Sequence, residues 1–272
     1  MTAHRMPTYF ISHGGGPWPW MLDRLDGAYD KLQASLQDMP RQVGTMPKAV
    51  LMVSAHWEAP AFTLMTDARP GMLYDYGGFP AHTYQVSYPA PGAPQLARQV
   101  RGLIEGAGIA AAEDAIRGFD HGMFSPMVVI YPKADVPVVQ LSLMQGLDPH
   151  THLALGRALA PLRDEGVLII GSGLSYHNLR LFGPAARPAS RSFDAWLQQT
   201  LRIADADERT ATLAAWEAAP SARLAHPREE HLLPLMVALG AAEHEAASTV
   251  YHEDDFMGGV AASSFRFGAA AV

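Results

Sequence analysis

The segment Ala49-Val50-Leu51-Met52-Val53-Ser54-Ala55-His56-Trp57-Glu58 is an unbroken apolar run that stops at a histidine. Alternating polarity is missing from it, which suits a strand buried on both faces, as in the parallel sheets of α/β proteins. The run predicts a strand over Ala49 to Ala55 with His56 at its C-terminal end. Thr8 to Ser12 repeats the pattern, a short β-rich run that ends at His13-Gly14-Gly15-Gly16-Pro17. Val136 to Leu143 is a third such run, and Val167 to Ile170 a fourth, followed by Gly171-Ser172-Gly173-Leu174-Ser175-Tyr176-His177-Asn178.

Between these runs the pattern predicts helices over about Gln95 to Gly106, His152 to Glu165, Phe193 to Ala204 and Arg228 to Leu239, with an Ala/Arg/Pro-rich surface loop near Pro184 to Ser190. Alternating strands and helices imply an α/β fold: a central, largely parallel or mixed sheet flanked by helices. A chain of 272 residues is compatible with one hydrophobic core, so residues 1–272 are read as a single catalytic domain. In open sheets of this kind ligands bind beyond the carboxyl ends of the strands, where His13, His56 and His177 fall.

Composition narrows the function. The formal charge is −7 and no Lys/Arg-rich run is present, so the electrostatic footprint of a nucleic-acid binder is missing. There is no cysteine, which excludes disulfides, zinc-thiolate sites and a cysteine nucleophile; any metal must be held by His, Asp or Glu. No signal-peptide pattern opens the sequence and no apolar run reaches the roughly 18 residues of a membrane span, so the cytoplasm is the expected location and a membrane is not an expected partner.

Of the twelve histidines, His4, His150, His152, His244 and His252 stand in polar contexts and are expected on the surface. His82, in Phe79-Pro80-Ala81-His82-Thr83-Tyr84, either lines a pocket or caps a loop. A lone histidine at a strand end would read as structural. His13 and His56 repeat the arrangement, which favours a metal site, since neutral imidazole is a common ligand of zinc and iron. His121 lies in Gly118-Phe119-Asp120-His121-Gly122, where Asp120 could hydrogen-bond its ring; the plain alternative is an ordinary loop histidine. His177 could ligate a metal or transfer protons. Pro227 suits a first helical turn, putting His226 near a helix cap and turning His231 inward with Leu232, Leu233 and Leu235 behind it.

Familiar catalytic motifs are missing. His226 and His231 do not have the H-E-x-x-H spacing, Gly14-Gly15-Gly16 lacks the Lys-Ser/Thr of a phosphate loop, and Gly171-Ser172-Gly173 is not a G-x-S-x-G elbow.

Taken in order, Ser12-His13-Gly14, Ser54-Ala55-His56-Trp57, Gly77-Gly78-Phe79-Pro80, Tyr88-Pro89-Ala90-Pro91-Gly92, Gly118-Phe119-Asp120-His121-Gly122, His177-Asn178-Leu179 and Glu230-His231-Leu232-Leu233-Pro234-Leu235 resemble the class III extradiol ring-cleaving dioxygenases of the 4,5-DOPA dioxygenase type. The resemblance runs from about Pro7 to the Ser264-Phe265-Arg266-Phe267-Gly268 tail. It implies an α/β fold and a non-haem metal that opens a catechol ring beside its two hydroxyls with O2. Carried over, His13, His56 and His231 match the metal ligands. His177 matches the acid/base histidine, which can close the shell around zinc as a further ligand, and His121 matches a second catalytic pocket histidine.

The usual facial triad of Fe(II) oxygenases is two histidines and a carboxylate. The third position is His231, with Glu230 expected either behind the ligands or on the surface because adjacent helical residues point about 100° apart. Fe(II) is the cofactor expected for activity, and Zn(II) also fits the donors. The expected substrates are a small aromatic diol and O2, with Tyr74, Tyr76, Phe79 and Trp57 as aromatic walls or plain core. The rival enzyme reading is a zinc hydrolase using the same histidines. A non-catalytic metal-binding domain is a third reading, against which stand both His121 and His177.

Overall fold

The computed structural model describes residues 5–269. Its strands are β1 (Thr8–Ser12), β2 (Ala49–Ala59), β3 (Phe62–Met65), β4 (Ala111–Asp114), β5 (Val138–Met144), β6 (Val167–Gly173), β7 (Ala247–Phe256) and β8 (Val260–Phe267). They form one eight-stranded mixed sheet in the order β4-β3-β5-β2-β6-β1-β8-β7. The four central strands β5, β2, β6 and β1 are mutually parallel, and antiparallel pairing enters on both sides, through β3 against β5 and β8 against β1. Parallel register aligns Ser12 with Gly173 and Ser54 with Ser172, so the C-terminal ends of β1, β2 and β6 open on one edge. The α/β mixed sheet agrees with the sequence reading.

The helices are α1 (Asp30–Val43), α2 (Pro94–Gly106), α3 (His121–Ile130), α4 (Pro149–Leu159), α5 (Arg187–Leu201), α6 (Ala206–Ala214), α7 (Ala222–Ala225) and α8 (Leu233–Gly240). Leu233-Pro234-Leu235-Met236-Val237-Ala238-Leu239-Gly240 is apolar all round, and every residue of α8 is buried, as a helix inside the core requires. Its approach to the sheet depends on two glycines of β6. A Cβ at Gly171 would collide with the Pro234 carbonyl, and one at Gly173 with the His231 carbonyl. The bare strand therefore lets the segment carrying His231 lie directly against it, and the Leu174 N–H donates to the His231 carbonyl at 3.1 Å.

Several elements differ from their sequence reading. β2 does not stop at His56 but continues to Ala59, with a register shift against β5 between Val53 and Glu58. Such an irregularity re-aims side chains, and His56 sits within it. The expected loop near Pro184 to Ser190 is a 3₁₀ turn leading into α5, where Pro188 occupies a first-turn position that needs no N–H. α8 begins at Leu233, not Arg228, so His231 stands in the turn before the helix and not in its first turn. His4 lies outside the described residues.

His152 was expected on the surface and is fully buried. It lies in the first turns of α4, where its Nδ1–H donates to the Asp148 carbonyl at 2.7 Å and its Nε2 accepts the Met144 N–H at 3.3 Å. Both nitrogens are used by a neutral ring, and burial pushes its pKa down to about 4. The unfolded chain takes up this proton near pH 6.5 and the folded one does not. The stability that His152 contributes is therefore complete above pH 6.5 and is lost as pH falls toward 4. Up to about 3 kcal/mol is at stake. In His152→Gln, which can still accept the Met144 N–H, urea unfolding should show a correspondingly smaller loss of stability between pH 6.5 and 4; identical pH slopes in both proteins would contradict this account.

Candidate active site

Five imidazoles converge where β1, β2 and β6 end. His13 follows β1, His56 lies in the irregular part of β2, His121 opens α3, His177 follows the turn after β6, and His231 precedes α8. The ring of His13 lies 4.9 Å from that of His56, 5.3 Å from His121 and 5.2 Å from His231, centre to centre. His56 and His121 are 3.9 Å apart, and His177 stacks on His231 at 3.4 Å.

Two carboxylates orient three of these rings, and one of the two also approaches a fourth. Asp75 Oδ1 accepts from His121 Nδ1 at 2.8 Å and from the His121 backbone N–H at 3.0 Å, while its Oδ2 lies 3.3 Å from His56 Nδ1. Glu230 Oε1 accepts from His231 Nδ1 at 2.9 Å and from His177 Nδ1 at 3.1 Å. A carboxylate only accepts, so His121, His177 and His231 carry their protons on Nδ1 and have a lone pair on Nε2, while Asp75 Oδ2 approaches His56 without a hydrogen bond. Burial alone would raise both carboxyls; hydrogen bonds and charge from His121 and His56 hold Asp75 below its ordinary range, and His177, with Arg228, does the same for Glu230. Asp120, expected to hydrogen-bond His121, faces the other way. It accepts from Ser54 at 2.8 Å, from Arg117 at 3.0 Å and from Gln140. Ser54 Oγ in turn accepts the His56 N–H, and Arg117 donates to the His56 carbonyl at 3.1 Å, so the Asp120 network braces the backbone beneath His56.

The donors suit a divalent metal. His13 is 1% exposed, and neither of its ring nitrogens has a hydrogen-bond partner. His231 Nε2, left with a lone pair because Glu230 holds the Nδ1–H, faces His56 Nε2 at 3.2 Å. Burial pushes His13 and His231 well below the ordinary histidine range and His56 down to about 3, with repulsion from the neighbouring imidazoles adding to each. The rings are thus kept in the neutral, metal-binding form. One donor atom from each of His13, His56 and His121 fits within 4.8 Å of the others, and His177, Glu230 and His231 form a second such group sharing the same space.

The rings open into a cavity of about 490 Å³ that Tyr76 and Phe79 line as expected. Trp57 does not line it: it packs beneath the Arg117 guanidinium at 4.6 Å. Tyr74 is not a wall either, and its hydroxyl donates to the Val86 carbonyl at 2.7 Å. The remaining wall, from Trp18, Met21, Leu25, Tyr29, Leu174, Leu179, Phe182, Phe256 and Met257, was not read from the sequence, and neither was Asp75, which stands between two tyrosines with no motif around it. His226 points away, its Nε2–H donating to the Ser175 carbonyl at 3.0 Å. His82 is exposed, with Nε2 3.2 Å from the Trp20 carbonyl, so it ties down a loop. His150, His244 and His252 are exposed as expected.

An α/β sheet with a buried polyhistidine centre at its strand ends defines a metalloenzyme class, and comparison with known proteins specifies it. Residues 7–267 match the family of the catalytic LigB subunit of aromatic ring-opening dioxygenases. The chain is 38% identical to a 4,5-DOPA dioxygenase extradiol of Beta vulgaris, covering 96% of both chains. It is 33% identical to a protein of the same name from Escherichia coli (strain K12), covering 98% of this chain and 97% of the other. A crystal structure of an uncharacterized Escherichia coli K12 protein superposes with a TM-score of 0.78 at 31% identity, covering 97% of this chain and all of that one. The chain belongs to the LigB family and is an extradiol aromatic ring-opening dioxygenase. Enzymes of this family are metal-dependent, act on an aromatic substrate and use O2. Among the described residues no helix is long and apolar enough to cross a membrane.

Carboxylates that hold the Nδ1–H of a metal-binding histidine typically contribute 10–100-fold to metal affinity. Asp75→Ala and Glu230→Ala should each weaken divalent-metal binding by about that factor in a chelator competition, with His82→Ala as an unaffected control. Unchanged affinity in both carboxylate variants would show that the rings hold their orientation without them.

Proposed function

We propose that the enzyme opens the ring of a catechol beside its two hydroxyls, using Fe(II) held by His13, His56 and His231. The observation that carries this reading is the meeting of buried, neutral imidazoles in one space: both ring nitrogens of His13 lack a partner, and the Nε2 atoms of His56 and His231 face each other at 3.2 Å. The three imidazoles would hold the metal as neutral ligands and leave it open to the substrates. When bound, Fe(II) supplies the redox exchange between diol and O2 that no side chain of this chain can perform. Both oxygen atoms enter the product, so no further reductant is needed.

The protein residues handle protons and position. His177 takes a proton from a catechol hydroxyl and returns one as the ring opens, with Glu230 accepting its Nδ1–H throughout and so fixing Nε2 as the working nitrogen. In a zinc-loaded protein the same nitrogen can serve as a fourth ligand. His121, held by Asp75, offers a hydrogen bond to charge that develops on oxygen. Tyr76 and Phe79 lie beside His121 along the cavity and present ring faces and edges to a planar substrate. His231 is preferred to His121 as third ligand because it is the more buried, at 3% against 6% exposure, and its Nε2 faces that of His56 directly. Nothing in the site favours a hydrolase: zinc would fit the donors, but a wall built for an aromatic ring has no part in activating water.

The test is anaerobic reconstitution with Fe(II), then addition of air-saturated catechol with oxygen uptake and the yellow ring-opened semialdehyde as readouts. Zinc-loaded protein should consume no O2, because zinc has no redox chemistry. His177→Phe should keep its Fe(II) and lose roughly 10²–10⁴-fold in single-turnover rate, whereas His56→Ala and His231→Ala should lose the metal. Metal retained by His231→Ala but lost by His121→Ala would exchange the roles assigned to those two residues, and equal metal loss in His177→Phe and His56→Ala would make His177 an obligatory ligand.

A further inference from the structure

The cavity wall opposite the histidines has no charge to offer. Among its described lining residues there is no Lys or Arg, and of the one carboxylate, Asp75, Oδ1 is bonded to His121 while Oδ2 is buried beside His56 at 3.3 Å, without a hydrogen bond and out of reach of the cavity. The polar handles of the aromatic wall are engaged as well. Trp18 Nε1–H donates to the His13 carbonyl at 2.8 Å, the Tyr29 hydroxyl accepts the Gly15 N–H at 3.0 Å, and the Tyr76 hydroxyl donates to the Thr83 carbonyl at 2.6 Å. Met21, Leu25, Leu179, Phe182, Phe256 and Met257 complete the surface.

Two of these residues stand at the rim. Leu179, on the loop after β6, is 75% exposed, and Met257, in the β7–β8 turn, is 38% exposed. Met257 has φ +50°, a left-handed conformation that costs a non-glycine residue strain, yet a large apolar side chain occupies it. Two loops from different parts of the chain thus extend the apolar wall outward beyond the space needed for a ring bound at the histidines.

We infer that the preferred substrate is a catechol bearing an uncharged, apolar alkyl or aryl substituent of several carbons on the ring edge away from the hydroxyls, and not a catechol amino acid. This rests on the ring-cleavage reading above and specifies its substrate class. A zwitterionic side chain would have to leave water for a surface with no Lys or Arg for its carboxylate and no exposed carboxylate oxygen for its ammonium. An alkyl chain instead gains about fourfold in binding for each methylene it buries.

The test compares kcat/KM, by oxygen uptake on the Fe(II) enzyme, for 4-methylcatechol, 4-butylcatechol and L-DOPA, alongside anaerobic calorimetric binding of the same three compounds. Each step toward the longer apolar chain should tighten binding, and 4-butylcatechol should exceed L-DOPA at least tenfold in kcat/KM. Leu179→Arg, a change at an exposed position that leaves the core intact, should narrow that ratio by supplying the missing cation at the rim. L-DOPA cleaved as well as or better than 4-butylcatechol would overturn the inference while leaving ring cleavage standing. Failure of the Fe(II) protein to cleave any of the three would defeat the ring-cleavage reading itself, and this inference with it.

Discussion

Keeping His13, His56 and His231 neutral inside a buried space is the constraint on which the rest of this structure depends. Burial opposes a charge on any of them, and a proton on one ring raises the cost of a proton on the next. Asp75 and Glu230 resolve the remaining ambiguity, because an acceptor-only carboxylate at Nδ1 fixes the tautomer and aims Nε2 inward. Two acids thereby set the rings of His121, His177 and His231, and His13 completes the centre with both nitrogens unpartnered. The centre is negative at its periphery and electron-rich in the middle, a distribution that attracts a divalent cation.

The fold delivers these groups with little local freedom. β6 lies between β1 and β2, so three parallel strand ends stand side by side and each contributes a histidine within a few residues. Gly171 and Gly173 bring the His231 segment onto the sheet, where a side chain would hold it off. Under β2 the buried Asp120, its carboxyl raised by burial and by Asp75, gathers Ser54, Arg117 and Gln140. Core packing and site geometry are therefore one problem: a residue that shifts β6 or the Asp120 network moves an imidazole.

What was legible in the sequence follows from where local pattern and tertiary context agree. His13, His56 and His177 were marked because an apolar run followed by a histidine or a glycine-rich turn is a local signal, and the buried central strands carry it strongly. His231 was expected to face inward, yet from a helix that begins only at Leu233; Leu232, Leu233 and Leu235 made the core face visible, while the turn before it was hidden by Pro227. His152 was misplaced because its flanking polar residues suggest solvent, whereas its own ring is satisfied by one carbonyl and one N–H within the core. β7 was not seen at all: at the sheet edge, with Glu253, Asp254 and Asp255 in it, its composition resembles a loop. Asp75 could not have been found by spacing, since its partners His56 and His121 are remote in sequence and only the folded loop joins them.

Glu230 ties the two proposed functions of the centre together. A single oxygen, Oε1, accepts from both the proposed acid/base His177 and the proposed ligand His231, whose rings also stack at 3.4 Å. When His177 takes up a proton its Nδ1–H becomes a stronger donor and draws electron density from that oxygen, which weakens the oxygen's hold on the His231 Nδ1–H. If His231 holds the metal, it would then be a slightly poorer electron donor at Nε2 whenever His177 carries the proton, so the shared oxygen would couple the two proposed roles inside a cavity walled by Trp18, Phe182 and Phe256. A separate carboxylate for each ring would hold both imidazoles but would not link proton transfer to ligand strength.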